Sequence, residues 1–375
     1  MEATTRSRTS NNFDALRLFA ALTVVVHHSV FYLDERFLWV TKENGWWFSG
    51  GVPLFFILSG FLVYRSAEKA AELRRPWWDF YWNRFLRIAP AFYLAGAGLI
   101  GVLGVLGYLS SASPTAVGAF FGTYLIFAPL WNPAFLGNFG GGVGNSSLWT
   151  IPVEVSFYVI VPALVWLARR TSWRTMMITA GAVAVISLLS YSIAGGNAAP
   201  WPGMKLFGFT ALPFLVYFLL GMLVDRIWDR LPSSPWIALA CLVAYFVVTI
   251  PGLRGPASTD LLVNALSAVP LAYAAMWVGR DMRPFHPQLF GRFDLSFGAY
   301  LWHQVVINVA IVTGILAGVS GEAAVAVVLL ATLLMALVSR STVEVNALKL
   351  KRYSLRGSGV EPPVATPASR EIRAH

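Results

Sequence analysis

Charge is what this sequence has least of. Only 12% of its residues are Asp, Glu, Lys or Arg, about half the ~25% usual in soluble globular proteins. Cysteine is nearly missing: Cys241 stands alone in an apolar run, which excludes a disulfide framework or a cysteine-rich metal site within one chain. The five histidines are scattered without metal-ligand spacing, so no metal is expected. The glycine-rich run 137–144 lacks both a preceding strand and a Lys-Ser/Thr ending, which excludes a nucleotide loop. Arg6 and Arg8 precede an apolar segment, as in a signal peptide. That segment is interrupted by titratable residues and followed by no small-residue cleavage site, so a retained span is expected.

What fills the chain instead is hydrophobic residue, 57% of the whole, with a mean hydropathy of +0.63. Apolar runs of ~20 residues recur along it, the pattern of an all-α polytopic membrane bundle and not of a barrel. The runs fall at about 13–32, 46–64, 85–109, 148–168, 175–194, 206–224, 236–251, 261–279, 295–316 and 322–339. A further apolar piece, 118–130, could also cross. Positive-inside counting decides against it. With ten spans and both termini cytoplasmic, all 28 Lys and Arg face the cytoplasm except Arg17, Arg36, Lys42, Lys205 and Arg254. An eleventh crossing would invert every later loop, so 118–147 is read as a re-entrant or surface segment. The net charge of +10 thus reads as topology; the implied partner is a bilayer, the cell's inner (plasma) membrane, and no nucleic acid is expected. Three regions follow: a cytoplasmic tail 1–12, a membrane domain 13–342, and a polar tail 343–375, expected to be largely disordered.

The first span, NFDALRLFAALTVVVHHSVFY, carries Asp14, Arg17, His27 and His28. Titratable groups within a membrane segment are costly and imply a partner or a task. Arg17 and His28 are 11 residues apart, within ~20° of three full turns at ~100° per residue, so they share one helix face about 16 Å apart. His27 points about a quarter-turn away and reads as structural.

Five stretches in order carry a resemblance: FDALRLFAALTVVVHH, GVPLFFILSGFLVY, FYWNRFLRIAPAFYL, SLWTIPVEVSFYVIVPALV and LSFGAYLWHQ, spanning residues 13–304. Together they resemble the acyltransferase family 3 membrane proteins, over about residues 13–316. The resemblance implies a ten-span core that takes acyl groups from cytoplasmic acyl-CoA and delivers them to hydroxyls, usually of glycans. It implies no bound cofactor, with acyl-CoA (here expected to be acetyl-CoA) as the donor substrate.

The family's arginine and histidine, ten residues between them, fall on Arg17 and His28. The resemblance makes His28 the expected catalytic group, taking the acceptor's proton or carrying the acyl group itself. The alternative is a buried pair satisfied by neighbouring helices. Glu154, about five residues into a span entering from outside, is reckoned at the depth of His28 and is expected to orient it; a carboxylate paired with a structural arginine is the other reading. Arg84 and Arg87 match the family's basic pair, and at i and i+3 they share a face able to clamp acyl-CoA phosphates; the other reading is ordinary positive-inside anchoring of the span. His303 also falls in a family motif, expected to line the acyl-CoA path beside Tyr300 and Trp302, or to be structural. Ser59 lacks a neighbouring base and a strained elbow, so packing or lining the path is expected of it. Trp149 lies beside the glycine-rich run, which as an external loop could gate a carbohydrate or glycosylated small-molecule acceptor. The expected function is therefore a membrane-bound O-acyltransferase; the alternative is a transporter or flippase of a lipid-linked glycan. Oligomeric state is open.

Overall fold

Each of the ten apolar segments carries a helix in the computed structural model, which describes residues 12–42, 50–110, 112–195, 208–249, 257–285 and 294–351. The terminal tails read from the sequence lie, but for a few residues, outside the described part. The helices are α1 (Phe13–Leu33), α2 (Gly51–Glu72), α3 (Trp77–Val105), α4 (Pro114–Leu125), α5 (Thr150–Arg170) and α6 (Trp173–Gly195). They continue with α7 (Leu215–Ile227), α8 (Pro235–Thr249), α9 (Ala257–Arg280), α10 (Ser296–Thr313) and α11 (Gly321–Ser339). A π-helical turn (Arg340–Glu344) and a short α12 (Val345–Lys349) follow. Among the described residues there is no strand, only an isolated bridge between Phe37 and Val40.

Five helices are long and apolar enough to cross a membrane: α1, α3, α5, α10, and α11 with its continuation to Lys349. The 12 residues of α4 reach about 18 Å at ~1.5 Å per residue, short of a ~30 Å hydrocarbon core. Its ends are local chemistry. Ser113 accepts a hydrogen bond from the Ala116 amide, and Pro114 takes the first turn, where no amide proton is needed. The interval 65–84 between the second and third apolar runs is mostly helical, because α2 runs on to Glu72 and α3 begins at Trp77. Arg84 and Arg87 consequently lie about two turns inside α3.

Packing follows the rule for apolar surroundings, where small residues let backbones approach. Gly60 of α2 faces the Phe218 carbonyl, where an added Cβ would lie 2.0 Å from the oxygen; Gly221 of α7 meets the Ile57 carbonyl at the same distance. This mutual notch admits no side chain at Gly60 or Gly221. The centre of the bundle is α10, packed against α1, α3 and α11. Its Tyr300, Gln304 and Asn308, at i, i+4 and i+8, form a polar stripe in an otherwise apolar interior, with all three buried.

The contacts define two ends. At one, Arg17 of α1, Arg87 of α3 and Asp294 just before α10 meet. At the other, Asn308 of α10 meets Gly140 and Gly141, and Tyr32 of α1 lies over Gly141. Helices α1, α3 and α10 therefore run in one direction, from the charged end toward the glycine-rich loop.

Candidate active site

Three polar layers stack along α1 and α10. The first joins the arginines. Arg17 Nη1 and Arg87 Nη2 both donate to Asp294 Oδ2, at 2.7 and 2.8 Å. The other oxygen, Oδ1, accepts from the Ser296 amide and hydroxyl at the start of α10, at 3.2 and 2.5 Å. One carboxylate thus engages two guanidiniums and opens a helix, an arrangement that charge assistance strengthens.

The second layer lies one to two turns further in. Tyr300 of α10 donates to the Ser147 carbonyl at 2.8 Å and its hydroxyl lies 2.8 Å from Thr150 Oγ1, fastening the first turn of α5. One turn along α5, Tyr158 donates to the Glu154 carboxylate, and the Arg84 guanidinium stacks over the Tyr158 and Phe80 rings at 5.7 and 5.5 Å. A cavity of about 40 Å³ here is lined by Arg17, Ser59, Glu154 and Tyr300 among others.

The third layer holds the imidazoles. His28 Nδ1 lies 2.9 Å from His303 Nε2. His303 Nδ1 in turn is 2.9 Å from the Tyr300 carbonyl and 3.3 Å from that of Ala299. A carbonyl only accepts, so Nδ1 of His303 carries the proton and its Nε2 presents a lone pair. His28 must then donate from Nδ1, which leaves its own Nε2 unprotonated and basic. Ser147 Oγ sits beside both rings, 3.4 Å from His28 Nδ1 and 3.3 Å from His303 Nε2.

The loop before α5 closes this layer. Asn308 donates to the Val143 carbonyl at 2.7 Å and accepts from the Gly141 amide at 3.1 Å. Asn145 donates to the Leu301 carbonyl at 2.8 Å, and Ser146 to Gln304 Oε1 at 2.9 Å. Gly140 adopts a φ of +56°, and a Cβ there would strike Asn308 at 2.6 Å. The glycine run is thus fastened to α10, not a free external flap. Outside it opens a cavity of about 280 Å³ whose lining includes Phe120, Trp131, Asn132, Ser146 and Trp149.

The expected partnership of Glu154 with His28 is corrected by this geometry. Helix α5 starts at Thr150, level with Tyr300, which is itself one turn from His303 on the arginine side. Glu154 is one turn further still and joins Tyr158 and the arginines; the group at the level of His28 is Ser147. Trp302 also departs from expectation, packing on Gly98 of α3 and turned from the 40 Å³ cavity that Tyr300 lines. Arg17, Arg87, Ser59, Tyr300 and His303 are brought together with His28 along one path. Asp294, Ser147, Gln304 and Asn308 went unnoticed in the sequence. The one available signal was the i+4 spacing of polar residues from Tyr300 through an apolar span.

Comparison with known proteins supplies the identity. A family model described as "Acyltransferase domain" matches residues 10–340. Nodulation protein 10 of Rhizobium leguminosarum bv. viciae is 29% identical over 81% of this chain and 84% of its own. The O-acetyl transferase of Shigella phage Sf6 is 24% identical over 80% of this chain and 86% of its own. The peptidoglycan O-acetyltransferase OatA of Listeria monocytogenes is 23% identical over 79% of this chain, which covers 49% of that protein. No solved structure matches. With nearly its whole length matched, the chain belongs to the acyltransferase family 3 membrane proteins and is an acyltransferase.

Proposed function

We propose that the protein moves an acetyl group from cytoplasmic acetyl-CoA to a hydroxyl of a glycan or glycosylated metabolite, from a ten-span bundle in the inner (plasma) membrane with both termini cytoplasmic. The positive-inside distribution supports this orientation: the end carrying Arg17, Arg84, Arg87 and Arg340 is the cytoplasmic one. The observation that carries the reading is the His28–His303 pair, with a basic Nε2 on His28, set between arginines at one end and an aromatic-walled cavity at the other.

In this mechanism the donor's phosphates bind at the arginines and its pantetheine arm follows the α1 face past Ser59 and Tyr300. The ~16 Å from Arg17 to His28 suits that arm. The acceptor sugar stacks on Trp131 and Trp149, with its hydroxyl toward His28. As that oxygen attacks the acyl carbonyl, its proton passes to His28 Nε2 and the carbon–sulfur bond breaks. The proton then joins the departing thiolate, releasing free CoA. His303 accepts from His28 Nδ1–H throughout, fixing the ring's tautomer and facing the imidazolium with a lone pair, the orienting role that a carboxylate plays in a serine-protease triad. Glu154, held by Tyr158, sets the charge around Arg84 and Arg87 on the donor path. The relatives named as O-acetyl and peptidoglycan O-acetyl transferases support both the group moved and the carbohydrate acceptor.

The test is acetyl transfer by the purified full chain, with radiolabelled acetyl-CoA and glycans from the host envelope. Labelled glycan should appear with wild type and fall by about 10²–10⁴-fold in His28→Ala. Undiminished transfer by that variant, or glycan translocation without any CoA release, would overturn the reading.

A further inference from the structure

At the arginine end lies a cavity of about 170 Å³ lined by residues of four separate segments, and its cations are not all spoken for. Its lining includes Arg87 of α3, Arg340 of the π-helical turn and Lys351 beyond α12, together with Asp14, Asp294 and Glu344. The carboxylates are not equally free. Asp294 is taken by Arg17, Arg87 and Ser296. Glu344 accepts from Ser339 at 3.1 Å and lies 3.6 Å from Arg340. On the cation side, capacity remains. The Nε atoms of Arg340 and Arg84 are buried with no hydrogen-bond partner among the described residues, and Lys351 makes no hydrogen bond or ion pair among them either. A buried guanidinium donor left unmatched is costly, and Arg340 Nε, lining this cavity together with Arg87 and the unpaired Lys351 ammonium, is matched most simply by an anion. Arg84 lies beside the cavity and adds to the positive charge felt at Lys351.

We infer that Arg340 and Lys351, from the C-terminal segment, complete with Arg84 and Arg87 a seat for a phosphate group of the donor's nucleotide end. This rests on the acyl-CoA reading above and extends it to a segment at and beyond the end of the family match at residue 340. The π-helical turn that carries Arg340 and the α12 that precedes Lys351 both pack on α3, which brings these cations beside Arg87. The Asp294 carboxylate occupies part of the space an incoming phosphate needs, so donor binding exchanges one anion for another on Arg87. Burial, then the repulsion of Arg87, Arg84 and Arg340, pushes the Lys351 ammonium down to about 8, as expected of a cation awaiting a counter-charge.

The experiment is equilibrium binding of radiolabelled CoA to the full chain in nanodiscs of phosphatidylcholine alone. Lys351→Gln should weaken binding by about tenfold, the loss of one charge-assisted contact, and Lys351→Arg should restore it. Arg340→Gln should act likewise; because Arg340 also neighbours Glu344, Lys351→Gln is the deciding variant. Repeating the series with CoA lacking its 3′-phosphate identifies the group seated. A penalty that vanishes assigns the 3′-phosphate, and one that persists assigns the diphosphate. Equal CoA affinity for wild type and Lys351→Gln overturns the inference while leaving the donor reading intact. So does a variant that keeps its CoA affinity but, in parallel nanodiscs containing phosphatidylglycerol, no longer binds that lipid, which would make the seat a lipid-headgroup site. Failure of wild type to bind CoA at all overturns both.

Discussion

At the scale of single residues, the His28–His303 hydrogen bond separates two roles that side-chain identity alone confuses. His303→Ala leaves His28 in place and removes only what holds its tautomer. Transfer should drop by about 10²-fold while donor affinity stays at the wild-type value, as stopped-time assays beside CoA binding would reveal. A matching loss of CoA affinity would return His303 to the donor path. Lys351 makes a second prediction through pH. It faces Arg84 and Arg87 of α3, Arg340 and Glu344 of the π-helical turn, Asp14 of α1 and Asp294 before α10. With its ammonium held at about 8, the cation is present below that pH and lost above it. CoA affinity should therefore be level below about pH 7 and decline through pH 8–9, and Lys351→Arg should flatten the profile. The arginine and histidine on α1 were visible in the sequence because they share one helix. Their partners were not: His303 lies 275 residues from His28, and its tautomer is set by a backbone carbonyl that no side-chain pattern reports. The misjudged depth of Glu154 has a similarly local origin, since the turn at Ser147 rather than the first turn of α5 occupies the level of His28.

At the scale of elements, the α2–α7 crossing concentrates the packing constraint at two glycines. Gly60→Ala places a methyl group against the Phe218 carbonyl, so the helices must separate, costing about 1–3 kcal/mol and lowering the unfolding midpoint in detergent. Gly101→Ala in α3 meets nothing within 4 Å and should leave that midpoint unchanged or raise it, since alanine favours helix by about 0.5–1 kcal/mol. Equal midpoints for the two variants would mean that the crossing is not tight. Element positions were legible from hydropathy because long apolar runs favour helix, while lengths were not: α7 has 13 residues and α8 15, short of the ~20 that a bilayer crossing takes. Element ends were less legible: the pieces 65–72 and 77–84, between the second and third apolar runs, continue α2 and α3, because Ala67 of one and Phe80 of the other are buried in the core. The glycine run looked like a free loop because its fastening groups, Asn308 and Gln304, belong to a helix more than 150 residues later.

At the scale of the whole molecule, the proposed topology assigns the two ends to opposite compartments. With Cys241 replaced, a single cysteine introduced at Ser354 should react with an impermeant maleimide only after the membrane is opened, and one at Asn138 should react in intact cells. The reverse pattern would mean an inverted bundle. In the proposed topology the arginine-end cavity and the outer cavity would open toward opposite aqueous phases with the histidine pair between them, the ingredients of a proton leak. The Tyr300 carbonyl that takes the His303 Nδ1 proton closes the route through that nitrogen, because a backbone carbonyl can hold a hydrogen bond yet cannot relay the proton onward. The pair is a cul-de-sac and not a wire: what His28 takes from the acceptor returns to the thiolate on its own side of the dyad. In the proposed topology, group transfer would then run in an energised membrane without a proton route through His303 Nδ1.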